Sequence, residues 1–256
     1  MPDGESRQDE LTPPREPRLG AVSLVSEFPE FADRIPPEDR QVAERAVIAP
    51  VLTARDGDLR EVLASRSQDV LNFLIVDGVV VKETTLGGRS ALELLGPGDV
   101  LAPPLPALQQ VESRAFSRYL AHGRVSLAVL DDRFRHATRR WPQLANVLHE
   151  RLGRQTHRAS MHLAMVHLPR VEDRLIALFA DLGERFGRMT PDGVLIDLSL
   201  THEVIGRLVR SRRPTVSLAL QTLASDGALE RLDGDAWKLA PTAIGMWHTD
   251  NDRLET

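Results

Sequence analysis

A short basic stretch without a single acid lies between Glu203 and Asp226. It holds four arginines: Arg207, Arg210, Arg212 and Arg213. The whole chain of 256 residues has a formal net charge of −5, so this stretch reverses the overall sign of charge. Guanidinium groups donate planar, paired hydrogen bonds that match phosphate oxygens and the edge of guanine. The residue types therefore indicate nucleic-acid binding, although a solvated helical surface would show the same charges.

Two helical patterns hold these arginines. The first has Thr201 as its N-cap and Glu203 in its first turn, and its apolar residues follow at helical spacing: Val204, Ile205, Leu208 and Val209. The second opens at Pro214, which a first helical turn tolerates, and it directs three apolar residues inward: Val216, Leu220 and Leu223. Residues 210–213 connect the helices, and Gly206 permits their close approach. This pair predicts a helix-turn-helix, whose second helix can lie in a DNA major groove.

The stretch LTHEVIGRLVRSRRPTVS resembles the DNA-binding motif of the Crp/Fnr family of bacterial transcription regulators. A Thr, an Ile-Gly pair and an R-R-P-T-V turn recur there in this register. Residues 229–232, the Gly234 turn and residues 236–239 resemble the β-hairpin wing that follows the motif in that family. The resemblance implies double-stranded DNA as the partner, with RNA polymerase and an unknown small-molecule effector as further candidate partners.

The resemblance also implies which residues touch DNA. The first of them is Thr201, at the start of the motif. Four residues are expected to hold phosphates: Arg210, Arg212, Thr215 and Ser217. Arg213 is expected to contact a guanine edge, and Leu218 and Gln221 a thymine methyl group or an adenine. Because Leu218 stands where the best-known relatives carry a second base-reading arginine, we expect this chain to prefer a different DNA sequence.

Short helical segments are predicted over 22–31 and 38–46, and from Val47 onward the pattern changes from helical to extended. Six short β-rich runs, separated by turns containing Gly and Asp, predict an antiparallel β-roll: residues 47–53, 71–76, 79–85, 91–95, 116–121 and 124–129. The segments FLIVDGVVVK and LGPGDVLA resemble the cyclic-nucleotide-binding roll that precedes the helix-turn-helix in Crp/Fnr proteins. The resemblance therefore implies a sensor domain ahead of the DNA-binding domain.

The roll departs from that family pattern where a cyclic nucleotide would bind. Members that bind cAMP carry a Gly-Glu pair after the Gly-Asp turn, whereas this chain has Ala102 and Pro103, followed by Pro104. Each proline removes an N–H donor from a loop that would have to donate to a phosphate. We therefore expect no cAMP and no other cofactor. The candidate effector contacts are Arg114, near the family's phosphate-pairing arginine, together with Gln155 and Ser160.

Asp131 or Asp132 is expected to cap a helix that begins near Arg133, and Pro142 to open a longer one. Pro169 is expected to end that longer helix, and a new amphipathic helix over 171–186 and a polar turn over 189–193 follow.

Within the longer helix, residues 144–166 form one amphipathic pattern. Four residues fall on a heptad seam, with Gln155 and His162 between them: Leu148, Leu152, Ala159 and Val166. In the family this is the dimerisation helix, so the resemblance implies a homodimer with these four residues at its interface. Gln155 and His162 would then set the register of the dimer, reach toward the ligand cavity, or simply mark a partly exposed interface.

The predicted fold class is α+β, with an antiparallel β-roll, a long central dimerisation helix and a C-terminal winged helix-turn-helix. The predicted segments are a disordered tail over 1–20, the roll over 21–140, the dimerisation helix over 141–168, the DNA-binding domain over 169–248 and a tail over 249–256. Cysteine is absent, and there is neither an apolar signal segment nor a membrane-length apolar run. We therefore expect a cytoplasmic protein.

Enzymatic motifs are missing from the sequence. It contains no H-E-x-x-H, no G-x-S-x-G, no P-loop and no G-x-G-x-x-G, so we expect a regulator rather than an enzyme. Three alternatives stay open: a ligand-binding roll that acts through protein contacts, a cupin-like metalloenzyme, and a roll that holds a metal or haem through histidine.

Overall fold

A computed structural model describes residues 20–65, 70–103 and 115–243. The predicted tail over 249–256 lies outside these residues, as do Pro104, Arg114 and residues 1–19 of the predicted N-terminal tail. Gly20, the last residue of that predicted tail, begins a β-strand.

Six antiparallel strands form the roll that the sequence predicts. They are β1 (Gly20–Ser23), β2 (Ile48–Asp58), β3 (Asn72–Leu86), β4 (Arg89–Leu95), β5 (Val100–Leu101) and β6 (Ala115–Leu130). Their order in the sheet is β1-β2-β6-β3-β4, and β5 pairs with β3. Neighbouring strand positions enter different buried clusters: Phe73 and Leu127 belong to one, whereas Leu74 and Ala128 belong to a second one that includes residues of the short helices.

Two predicted turns in the roll are wrong. The runs 71–76 and 79–85 belong to the single strand β3, and the runs 116–121 and 124–129 to the single strand β6. Gly78 does not turn the chain. Its φ is 87°, and a Cβ there would lie 2.2 Å from the carbonyl oxygen of Arg124 on the paired strand. Gly78 thus marks an irregularity of strand pairing where two backbones approach closely. In sequence alone, a glycine at such a position looks the same as a glycine in a turn.

Short helices cover the ends of the roll. They are α1 (Leu24–Glu27), α2 (Pro29–Asp33), α3 (Arg40–Ala46), α4 (Arg60–Ala64) and α5 (Asp132–Arg140). The helical segment predicted over 22–31 is instead the end of β1 followed by two helices, because Pro29 starts a new helix. The predicted cap of α5 is confirmed: the Asp131 carboxylate accepts a hydrogen bond from the Arg133 N–H at 2.9 Å.

Two long helices follow the roll. The central helix α6 (Gln143–Met165) begins after Pro142, and α7 (Val171–Phe186) begins just after Pro169, as predicted. Both starts follow from proline, which fits a helix start and interrupts a helix interior. No helix among the described residues is long and apolar enough to cross a membrane.

The C-terminal domain, residues 171–243, is a winged helix-turn-helix. After α7 it contains β7 (Gly187–Thr190), β8 (Gly193–Ile196), α8 (His202–Leu208), α9 (Arg213–Ser225), β9 (Leu229–Arg231) and β10 (Trp237–Leu239). The strands pair in the order β7-β8-β10-β9. Met189 and Thr190, predicted as part of a polar turn over 189–193, belong to the strand β7 instead. Phe179 and Trp237 form the centre of its core, with ring centroids 4.8 Å apart.

Candidate nucleic-acid interface

The turn between α8 and α9 is fixed by close backbone contacts. Thr201 caps α8 as predicted, because its Oγ1 accepts a hydrogen bond from the Val204 N–H at 3.2 Å. A Cβ at Gly206 would lie 2.7 Å from the carbonyl oxygen of Ser211, so only glycine lets the turn pack directly against α8. Arg210 lies in the turn with a φ of 52°, in the left-handed region. The backbone therefore holds the two helices in one mutual orientation.

The recognition helix, which is α9, has one buried face and one exposed face. Three residues predicted to point inward are buried: Val216, Leu220 and Leu223. On the opposite face the Leu218 side chain is 66% exposed, and Gln221 and Thr222 are exposed as well. A large apolar side chain on an exposed helix face is available for contact with another molecule.

Three of the four arginines have free guanidinium groups. Arg210, Arg212 and Arg213 are exposed, and none forms an ion pair or side-chain hydrogen bond with any residue in the described ranges. Arg207 differs, because its guanidinium pairs with the Glu83 carboxylate of the roll. The unpaired positive charge therefore lies in the turn and at the start of the recognition helix.

Two predicted phosphate contacts on the recognition helix have different surroundings. Thr215 is exposed, whereas Ser217 is half-buried and its Oγ lies 2.9 Å from Nδ1 of His202. Burial lowers the pKa of His202, and the positive charges of Arg231 and Arg213 lower it further. Ser217 thus has a partner inside the motif, and His202 sits in a positive electrostatic environment.

A groove of about 390 Å³ opens between the start of α8, the recognition helix and the wing. Its lining residues are Thr201, His202, Glu203, Arg213 and Arg231. The sequence analysis missed His202 and Arg231. Arg231 stands on β9, where its guanidinium lies 2.5 Å from the Asp235 carboxylate and 5.6 Å from the Trp237 ring centroid. A basic residue beside the wing turn was the signal that could have identified it.

The candidate effector residues are not gathered in one place. The Gln155 side-chain oxygen accepts a hydrogen bond from the Val100 N–H at 3.2 Å, so Gln155 faces the roll. Ser160 is exposed, and its hydroxyl donates to the carbonyl oxygen of Thr156 on its own helix at 3.1 Å. Arg114 lies outside the described residues.

The turn that precedes β5 uses its own backbone donors. The Gly98 N–H donates to the Ile75 carbonyl at 2.8 Å, and the Asp99 N–H donates to the Gly96 carbonyl at 2.9 Å. The Gly96 N–H donates to the Asp99 carboxylate at 2.9 Å. These N–H groups therefore already have acceptors within the chain, and Pro103 beyond the turn has no N–H at all.

The central helix exposes a different face from the predicted one. Val166 is buried in the core of the C-terminal domain, and Leu148 packs against the core of the roll. Leu152 is 42% exposed and Leu163 is 60% exposed, while Ala159 is half-buried. The roll and the C-terminal domain cover the side with Leu148 and Val166, which turns the line through Leu152 and Leu163 toward solvent.

Histidine and acidic residues do not cluster in the described ranges. There, no group of three or more histidine, aspartate or glutamate side chains lies close enough together to hold a metal ion.

A β-roll, a long central helix and an exposed basic helix in a winged domain make up the described part of the chain. Residues 173–239 match the family of Crp-like helix-turn-helix domains. The chain thus contains a Crp-like helix-turn-helix domain, and it is similar to Crp/Fnr-type regulators over its roll and central helix as well.

The chain spans less than two thirds of the length of the curated relatives that it matches. Regulatory protein CysR of Synechococcus elongatus is 31% identical over 150 residues, which cover 57% of this chain and 65% of that protein. FixK2 of Bradyrhizobium japonicum shares the fold with a TM-score of 0.59 at 18% identity, over 78% of this chain and 96% of that chain. A CRP/FNR-family regulator of Thermus thermophilus gives a TM-score of 0.52 at 17% identity, over 77% and 96%.

Proposed function

We propose that this protein is a homodimer that binds a pseudo-palindromic DNA site and regulates transcription there. The observation that carries the proposal is the set of three exposed, unpaired arginines in the turn and at the start of the recognition helix. Arg210 and Arg212, with Thr215, would hold phosphates, and Arg213 would contact a guanine edge. Leu218 and Gln221 would contact a thymine methyl group or an adenine.

The groove beside the recognition helix would receive a phosphate of the DNA backbone. Arg213 and Arg231 line it together with Thr201, His202 and Glu203, and of the two arginines only Arg231 has an acidic partner in the described residues, the exposed Asp235. Ser217 would act indirectly, because its hydroxyl is within hydrogen-bond distance of His202. Phosphate contacts of this kind fix the position of the protein on DNA without selecting a sequence.

The dimer would form through the exposed face of the central helix. Leu152, Thr156, Ala159 and Leu163 alternate in steps of four, three and four residues, which is the spacing of a coiled-coil seam. Leu163 takes the place that the sequence analysis gave to Val166. A two-fold axis along this seam would place the two recognition helices in successive major grooves, about 34 Å apart.

Sedimentation and DNA titration of Leu152→Glu test the dimer. Two like charges facing each other in an apolar seam should separate the subunits, and loss of the second half-site should weaken binding to a palindromic site by about a hundredfold or more. The matched control is His157→Glu, which adds the same acid to the exposed, opposite side of the helix. A Leu152→Glu variant that stays dimeric would place the interface elsewhere. A parent dimer that binds no DNA would favour a roll acting through protein contacts.

We propose further that cAMP and cGMP are not the effector. Two features support this. The N–H groups of the turn before β5 already donate to acceptors within the chain, and Pro103 has no N–H to donate to a phosphate. Calorimetric titration with each nucleotide should give no saturable heat at micromolar protein. Micromolar affinity for either nucleotide would overturn this part of the proposal.

A further inference from the structure

Two carboxylates of the roll are buried where the roll meets the C-terminal domain. Glu83 on β3 is 5% exposed, and Asp99, just before β5, is 6% exposed. A buried carboxylate is costly unless charged partners and hydrogen bonds compensate its lost hydration. The partners of these two residues therefore show what the carboxylates hold in place.

Glu83 joins the roll to the first helix of the helix-turn-helix. One carboxylate oxygen accepts hydrogen bonds from Arg118 on the neighbouring strand β6, at 2.6 to 2.7 Å. The other oxygen pairs with Arg207 of α8. Burial alone would raise the pKa of Glu83, but the hydrogen bonds from both arginines outweigh burial and lower it. Glu83 is therefore ionised and bridges the two domains.

Asp99 makes a second bridge of the same kind. Its carboxylate pairs with Arg158 of the central helix and, at 2.8 Å, with Arg185 near the end of α7. The Arg185 guanidinium also donates to the Leu94 carbonyl of β4 at 2.9 Å and lies over the ring of Phe186 at 4.7 Å. Arg185 of the C-terminal domain is thereby held against the roll.

Apolar and backbone contacts surround the two bridges. Val79, Leu92 and Leu94 of the roll belong to the same buried cluster as the core of the C-terminal domain. Nε2 of His122 on β6 lies 2.8 Å from the carbonyl oxygen of Ser199, just ahead of the motif. An apolar interface alone permits sliding, whereas directional ion pairs at separate points specify one orientation.

We propose that Glu83 and Asp99 are positioning residues that fix the C-terminal domain in one orientation on the roll. In the dimer proposed above, on which this inference rests, the roll thereby sets the separation and angle of the two recognition helices. We call the two bridges, Glu83 with Arg207 and Asp99 with Arg185, the clamp. Arg207 is part of the clamp and does not contact DNA, although it belongs to the basic stretch. The clamp thus acts on spacing preference and leaves phosphate contacts unchanged.

Operators that differ only in half-site spacing test the clamp. We expect the full-length parent to prefer one spacing, and Arg207→Gln to weaken that preference by about fivefold to a hundredfold, the usual range of coupling between two parts of a protein. Glu83→Gln should have the same effect, and the double variant should be no worse than either single variant. Arg207→Gln leaves Glu83 paired with Arg118, so this variant keeps the roll intact. Glu61→Gln, an exposed acid on α4, is the matched control.

Two readouts separate the clamp from DNA contact. The salt dependence of binding to random DNA should be the same for Arg207→Gln and the parent, and trypsin should cleave after Arg170, between the domains, several-fold faster in both single variants. A lower salt dependence for Arg207→Gln, or an unchanged spacing preference for Glu83→Gln, would overturn the inference. If the parent binds no DNA, the proposed function fails, and faster cleavage after Arg170 would still report the clamp.

Discussion

Two groups of arginines in this molecule show how pairing decides what a guanidinium does. Arg210, Arg212 and Arg213 are exposed and have no ion-pair partner among the described residues, whereas Arg185 and Arg207 are held by carboxylates of the roll. Arg207 and Arg210 are only three residues apart, but α8 ends at Leu208 and Arg210 has a left-handed backbone. The change of backbone direction turns one guanidinium toward the roll and leaves the next in solvent.

Arginines of one acid-free stretch therefore have different functions. The partner of Arg207 lies 124 residues away in the sequence, so no local pattern could reveal it. A charge that is already neutralised inside the protein has little left to offer a phosphate, while a free charge releases counterions when DNA binds. The free group, Arg210, Arg212 and Arg213, is therefore expected to govern DNA affinity. The paired group, Arg185 and Arg207 with their carboxylates, is expected to govern stability and domain orientation.

The largest effect is expected when an arginine of the paired group is replaced. Arg185→Met keeps much of the side-chain volume but leaves Asp99 buried with one fewer partner, so we expect the free energy of unfolding to fall by about 3 kcal/mol. Urea denaturation measures this free energy of unfolding. The matched control is Arg188→Met, an exposed arginine in the adjacent strand β7, which should change stability by less than about 0.5 kcal/mol. Equal stability of the two variants would contradict the buried bridge.

Next in size is the loss of a base contact from the free group. Arg213→Ala should weaken binding to the preferred DNA site by about 1 to 3 kcal/mol and relax the base preference at one position of each half-site. Competition titrations with single-base variants of the site measure this. Arg188→Ala serves as control in the same domain. Binding that weakens equally on every sequence would make Arg213 a phosphate contact.

A smaller change should follow loss of a phosphate contact. Arg212→Ala should weaken binding to all sequences alike and reduce the slope of log affinity against log salt by about 0.9. Fluorescence anisotropy over a salt series gives the slope. If Arg212→Ala and Arg207→Gln reduced the slope equally, the distinction between free and paired arginines would be lost.

The smallest expected effect is a pH dependence of the paired group. Because the pKa of Glu83 is lower in the folded protein, its stabilising contribution is present above pH 4.5, the ordinary glutamate value, and is lost as pH falls below it through the folded-state pKa. Glu83→Gln should therefore lose less stability than the parent when the pH is lowered below 4.5. Unfolding curves at several acid pH values measure this, with Glu61→Gln as control.

Local signals in the sequence predicted much of the fold. The Thr201 cap, the Asp131 cap and the start of α7 after Pro169 all rest on residues within one helical turn, and each is confirmed. The exposed face of the recognition helix also follows from helical periodicity alone. The residues assigned to DNA remain a prediction, because their partner is another molecule.

Features that depend on distant parts of the chain escaped prediction. Gly78 resembles a turn residue until β6 is placed beside it, and Val166 resembles an interface residue until the C-terminal domain covers it. The same holds for the bridges of Glu83 and Asp99, since each joins segments that are far apart in sequence. Periodicity specifies which face of an element is apolar, but not which neighbour buries it.

Two recognition helices, presented by one dimer, are proposed to contact a specific DNA sequence. Selection of bound sequences from a random DNA pool by the full chain, followed by sequencing, tests this proposal most directly. We expect an enriched site with two inverted half-sites whose centres are about 10 to 10.5 base pairs, or one helical turn, apart. Enrichment of a single asymmetric element, or of no sequence at all, would contradict it.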